Sequence, residues 1–132
     1  MSERKYNKIL IIDDARTVRA FMREIATRLG YEVVEAANGN EGIEALRNHQ
    51  DIALVFCDVN MPELDGLSML YKLNNEKVLG DSFVLPPFVI VTTESSKRLA
   101  QSAKESGAKG WIIKPFKEEI IEVMIKQVAR AS

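Results

Sequence analysis

The stretch DIALVFCDVNMPELDG, residues 51–66, decides the fold. Residues 52–57 are apolar without interruption, so they do not alternate as a half-solvated strand does. A short apolar run closed by turn-forming residues fits a strand buried on both faces of a parallel sheet. Packing gives such a strand no reason to end on a carboxylate. Asp58 nevertheless follows at once, and Asn60, Met61 and Pro62 then turn the chain. A charge at the lip of a buried strand is costly unless something nearby compensates it.

Working outward, four further apolar runs appear at residues 8–13 (KILIID), 31–36 (YEVVEA), 87–93 (PFVIVTT) and 110–115 (GWIIKP). The intervening segments have helical period. Val18, Phe21, Met22, Ile25 and Leu29 make one apolar stripe, closed by Gly30. Ile43 and Leu46 mark a shorter helix after an Asn38-Gly39-Asn40 turn, and Leu67, Leu70, Tyr71 and Leu73 mark a third. Residues 95–106, opening at Ser95, carry only Leu99, Ala100 and Ala103 as apolar content, so this helix should hold the core weakly. Ile120, Ile121, Met124 and Val128 define a last helix. Strict alternation of strand and helix predicts right-handed crossovers and an α/β, doubly wound, five-stranded parallel sheet with five helices. With no repeat, linker or low-complexity tract, residues 1–132 are expected to form a single domain. The connector at 74–87 fits least well: Phe83, Val84 and Leu85 read either as a packed flap or as a docking patch.

Composition narrows the setting. The chain has 132 residues, 46% of them hydrophobic, enough for a real core. A formal net charge of −1 gives no general surface for nucleic acid or membranes. Cys57, the only cysteine, excludes an intramolecular disulfide and suits a reducing compartment, and its place inside ALVFC reads as core more readily than as a reactive thiol. No stretch has signal-peptide character or membrane-spanning length, so the expectation is a cytoplasmic protein without membrane insertion.

In an open parallel α/β sheet the ligand crevice lies at the carboxyl ends of the strands. Asp13 and Asp14 end the first run, Asp58 the third, Thr92 and Thr93 the fourth and Lys114 the fifth. Asp14 alone could simply cap the following helix. Three carboxylates on neighbouring strands repel one another unless a cation offsets them, and hard oxygen ligands of this kind suit Mg2+. Lys114, backed by Pro115, adds a positive charge, whether as an ion pair with Asp58 or as a mobile contact, and Thr92 adds a hydroxyl. A cation, an ammonium and a hydroxyl around one carboxylate match the needs of a transferring phosphoryl group. Asp58 then reads as a nucleophile that its neighbours keep ionised.

At these residues the sequence resembles a family. IIDDARTVR, FCDVNMPELDGL, VTTES and GWIIKPF are similar to the signature segments of receiver domains of two-component response regulators, over nearly the whole chain and nearest the stand-alone chemotaxis (CheY-like) type. The resemblance implies a flavodoxin-like sheet of order 2-1-3-4-5, which is the order of flavodoxin and CheY themselves and is not read from these residues. It also implies that Asp58 accepts phosphate from a sensor histidine kinase. Asp14 and Asp58 would bind Mg2+ directly, Asp13 through water and Asn60 through its backbone carbonyl. Thr92 and Lys114 would contact the phosphoryl oxygens, aided by the backbone N–H groups of Thr93 and Asn60. Trp111 stands at the switch aromatic, and a moving part and a half-buried edge residue are equally open readings of it. Asn60 and Glu94 would set the lifetime of the phosphorylated state. Val59 replaces the aromatic residue that often follows the phosphorylated aspartate in the chemotaxis type.

The function this implies is a phosphorylation-activated signalling switch, in chemotaxis or flagellar motor control, that catalyses only its own phosphorylation and self-dephosphorylation. Alternatives are a phosphorelay intermediate, a stand-alone regulator of another protein, or a phosphohydrolase. Against the last, His49 is the only histidine and lies in a helix-to-strand connection, and no Asp-x-Asp motif ends the first strand. No DNA-binding segment follows the last helix, so the expected output is contact with a protein target, on a face carrying Lys97, Arg98, Lys104 and Trp111.

Overall fold

A computed structural model describes residues 5–61, 64–94 and 96–130; Pro62 and Ser95 lie outside the described residues. The elements are β1 (Lys8–Ile12), α1 (Arg16–Arg28), β2 (Glu32–Ala36), α2 (Gly39–Asn48), β3 (Ile52–Asp58), α3 (Gly66–Asn74), β4 (Phe88–Thr92), α4 (Lys97–Glu105), β5 (Gly110–Ile113) and α5 (Glu118–Val128). All pairings are parallel and the order is β2-β1-β3-β4-β5, a flavodoxin-like sheet.

β3 lies between β1 and β4, and every one of its residues is buried. Its alternate side chains feed two cores. Val55 and Cys57 join Leu10 and Ile12 beneath α2 and α3, whereas Leu54 and Phe56 join Ile9 and Ile11 beneath α1 and α5. Truncating Phe56 to alanine would cost about 3–5 kcal/mol, because neither layer can collapse into the space. No helix among the described residues is long and apolar enough to cross a membrane.

The helices differ from the periodic reading in detail. Phe21 is 41% exposed at the margin of its stripe, its ring tilted against Phe116 at 6.0 Å. Tyr71 and Ile120 also face outward, and the buried positions of α3 and α5 include Met69 and Ile125. The Asn38-Gly39-Asn40 segment is not a separate turn. Asn38 caps α2 by accepting the Glu41 N–H at 2.9 Å, and Glu41 reaches back to the Ala37 N–H at 2.9 Å, which satisfies donors that a helix start leaves orphaned. Of α4, only Ala103 is fully buried, in line with its sparse apolar content. In the connector, Leu79, Phe83 and Leu85 pack against the core while Val78 and Val84 are 42% and 69% exposed, so the segment is a packed flap with two apolar side chains facing out.

Candidate functional site

The carboxyl ends of β1, β3, β4 and β5 bring together the residues named from the sequence. Asp13 directly follows β1 and is 2% exposed; Asp58 closes β3 and is 3% exposed; Asp14 is exposed. One carboxylate oxygen from each of the three lies within 4.8 Å of the others. Lys114, just beyond β5, donates from Nζ to Asp13 Oδ2 at 2.9 Å and stands 3.5 Å from Asp58 Oδ2. The Lys114–Pro115 peptide is cis. The closer ion pair is therefore with Asp13, not with Asp58.

Local structure fixes each group. Asp13 Oδ1 accepts the Ala15 N–H at 2.8 Å, and Ala15 is the N-cap of α1, without any side-chain cap. Asp14 does not cap that helix, which leaves its carboxylate to the acid cluster. Asp58 Oδ1 accepts the Asn60 N–H at 3.2 Å. The turn after β3 is held by backbone bonds: the N–H groups of Met61 and Gly66 both donate to the Val59 carbonyl at 3.2 Å. Thr92 is buried, and its Oγ1 accepts the Glu94 N–H at 3.1 Å, which leaves the hydroxyl proton to donate elsewhere. The Lys114 N–H donates to the Thr92 carbonyl at 2.7 Å, so β4 and β5 deliver these two residues together.

The electrostatics are unbalanced. Burial and the neighbouring Asp13 push the Asp58 carboxyl above the ordinary carboxylate range, against the pull of Lys114 and the Asn60 N–H. Burial opposes the charge on Lys114, yet its contacts with Asp13 and then Asp58 outweigh that and raise its pKa. Within the protein's own groups, burial and the Asp13 charge oppose ionisation of Asp58 while Lys114 and the Asn60 N–H favour it, and a cation among the three carboxylates would favour it further. Cys57 is fully buried beside it, and burial followed by the Asp58 charge drives its thiol far above the usual range, which makes it a core residue.

The model of the response regulator receiver domain matches residues 9–126 of the chain. The chain belongs to the receiver domain family. A chemotaxis protein CheY homolog of Campylobacter jejuni is 34% identical over 122 residues, covering 92% of this chain and 91% of that protein. Chemotaxis protein CheY1 of Helicobacter pylori is 33% identical over 122 residues, covering 92% of this chain and 95% of its own. Among solved structures, CheY4 of Vibrio cholerae superposes with a TM-score of 0.82 at 29% identity, covering 92% of this chain and 98% of that one.

Two residues that shape the site of this receiver domain escape a reading of strand ends. Gly66 opens α3 against the strand that carries Asp58, and a Cβ there would sit 2.3 Å from the Asp58 carbonyl oxygen. Arg19 donates from Nη1 to the Asp13 carbonyl and from Nε to Glu35 at 2.9 Å, tying α1 to the strand end. The Asp65-Gly66 pair before an apolar run was the available signal for the first. The pairing of Arg19 with a residue on β2 leaves no local signal. Trp111 is half-buried on the edge strand β5, in register with Ile90. Asn60 and Glu94 are both exposed, the first with its N–H on Asp58 and the second with its N–H on Thr92.

Proposed function

We propose that this receiver domain is a phosphorylation-controlled binding switch with Asp58 as phosphoacceptor. The observation that carries the reading is a buried Asp58 carboxylate beside Asp13, Asp14 and the Lys114 ammonium. An Asp58 oxygen attacks the phosphorus of a phosphohistidine on a sensor kinase. The P–O bond forms as the P–N bond breaks, and the imidazole leaves with the electron pair. Asp13, Asp14 and Asp58, with the Asn60 carbonyl, would hold Mg2+, and their hard oxygen donors fit that ion. Bound there, the ion supplies positive charge for the phosphoryl oxygens. Lys114 and Thr92 supply the protein's own charge and hydroxyl to the same oxygens, and the exposed Asn60 and Glu94 govern access of the hydrolytic water.

The domain on this reading turns over no free substrate. His49, the only histidine, ends α2 beside the start of β3, at the sheet edge opposite Asp58. Output passes to a protein through the face of α4 and β5, where Ala100, Ala103, Lys104, Lys109 and Trp111 line a shallow groove of about 470 Å³. The names of the Campylobacter and Helicobacter relatives support a place in chemotaxis. The test is labelling with a small phosphodonor followed by intact mass. One phosphoryl group should be gained with magnesium, none with chelator and none in Asp58→Asn, whose amide is a very poor nucleophile. Acid-labile phosphate on a folded Asp58→Asn protein would move the acceptor elsewhere.

A further inference from the structure

At the edge of the sheet opposite the acids lies a cavity of about 510 Å³, a size suited to a small ligand. Tyr6 precedes β1, Ile52 begins β3, Pro86 precedes β4 and Arg130 follows α5, and all four line it. Ile52 and Asp58 are the two ends of β3, so the cavity and the acid cluster are about 20 Å apart. We propose that this cavity binds a small organic anion with an apolar body, such as an aryl-alkyl carboxylate.

The charged side chains lining the cavity are all basic. Arg47, His49 and Arg130 line the cavity, and among the described residues no Asp or Glu does. Arg47 is already paired with Glu44, on the exposed face of α2. Arg130 has no carboxylate partner among the described residues. Its Nε donates to the Ile52 carbonyl at 3.0 Å, and its guanidinium lies over the Tyr6 ring at 3.9 Å. These two contacts fix the guanidinium at the cavity wall, so a carboxylate meets a preorganised partner and little side-chain freedom is lost on binding. Partial burial also lowers the Arg130 pKa, as desolvation of a cation does.

The connector supplies an apolar side to the cavity. Val78 and Val84 are 42% and 69% exposed where the connector borders the cavity, and Phe83 and Leu79 form the wall between them and the core. An anion without an apolar body would leave these side chains in water, and a neutral apolar molecule would leave Arg130 without a counter-charge. Both features select the same amphipathic class.

The test is heteronuclear NMR titration of the full chain with phenylbutyrate, its neutral amide and acetate. Phenylbutyrate at millimolar concentration should shift the signals of Tyr6, His49, Val84 and Arg130 and leave those around Asp58 in place. It should bind about tenfold more tightly than the amide, since the amide forfeits a charge-assisted contact, and acetate should not saturate. Arg130→Gln should abolish that preference. Val84→Glu, at an exposed position that need not disturb folding, should repel the carboxylate, while phosphodonor labelling of Asp58 stays as in the native chain. Equal binding of acid and amide, no shifts at the cavity, or native affinity in Val84→Glu would overturn the proposal. Loss of labelling at Asp58 bears only on the phosphoacceptor reading, so the two fail separately.

Discussion

The Lys114 ammonium sits 2.9 Å from a carboxylate oxygen of Asp13, closer than it comes to Asp58 at 3.5 Å. Asp13 is nearly inaccessible, so this contact is part of what makes a buried acid tolerable at the end of β1. Lys114→Ala would leave Asp13 and Asp58 facing each other without their shared counter-charge. The variant should lose about 2 kcal/mol in urea unfolding with chelator present, the usual cost of removing a charge-assisted partner from a buried group. It should still accept phosphate on Asp58 but lose most of the gain in partner affinity. Native stability in this variant would mean that Asp13 draws its compensation from elsewhere.

Gly66 offers a sharper test of how the fold sets the site. A methyl group there meets the Asp58 carbonyl at 2.3 Å, and the obstacle is backbone, so α3 or the end of β3 must move. Gly66→Ala should destabilise the protein by about 1–3 kcal/mol and slow phosphodonor labelling. Gly80 is the control: its φ of +96° makes alanine unfavourable, but nothing lies within 4 Å of a Cβ at that position. Gly80→Ala should cost about 1–2 kcal/mol and leave the labelling rate unchanged. Equal labelling by both variants would separate α3 from the positioning of Asp58.

The uninterrupted apolar run of β3 made the parallel sheet legible, because only burial on both faces explains it. The acids were legible for a related reason: a strand that ends on a charge marks the carboxyl edge, and four strands did so with polar or charged residues. Periodicity gave the direction of each helix stripe but not its width. Phe21 lies at a margin covered by Phe116, ninety-five residues later by sequence count, and no window around Phe21 contains that information. The partner of Lys114 was open because a long lysine reaches either of two acids, and the choice falls to three-dimensional placement. The strand order needed the family resemblance, since alternation alone allows more than one arrangement.

Acid should loosen the contact between α1 and β2. Burial opposes ionisation of Glu35, but hydrogen bonds from Arg23 and Arg19 outweigh it and hold the carboxyl below its ordinary value of 4.5. A folded-state value below the unfolded one contributes stability that is present above the unfolded value and is lost as pH falls through the folded one. Glu35→Gln should therefore reduce stability by about 0.5 kcal/mol near neutral pH, the scale of a partly exposed pair, and the difference should vanish in acid. Urea midpoints of both proteins across that range give the answer. A difference that persisted below the folded value would assign the loss to packing, not to charge.

Weak anchoring and position together favour α4 and β5 as the output face. α4 keeps only Ala103 fully buried, so it is the helix that moves at least cost to the core. It is flanked in sequence by Thr92, at the end of β4, and by Trp111, half-buried on β5, and both touch the groove or the site. If phosphate draws the Thr92 hydroxyl toward Asp58, Trp111 and α4 are the nearest elements free to repack, and the emission of Trp111 should change on adding beryllofluoride. Lys97, Arg98 and Lys104 stand exposed on this helix. Reversing any one of them should weaken activation-dependent capture of the partner by roughly 1 kcal/mol while Asp58 labels normally, because the acids lie at the sheet edge and not under α4. Equal capture by native and charge-reversed proteins would move the output to another surface, and the outward-facing Val84 of the connector would be the next to mutate.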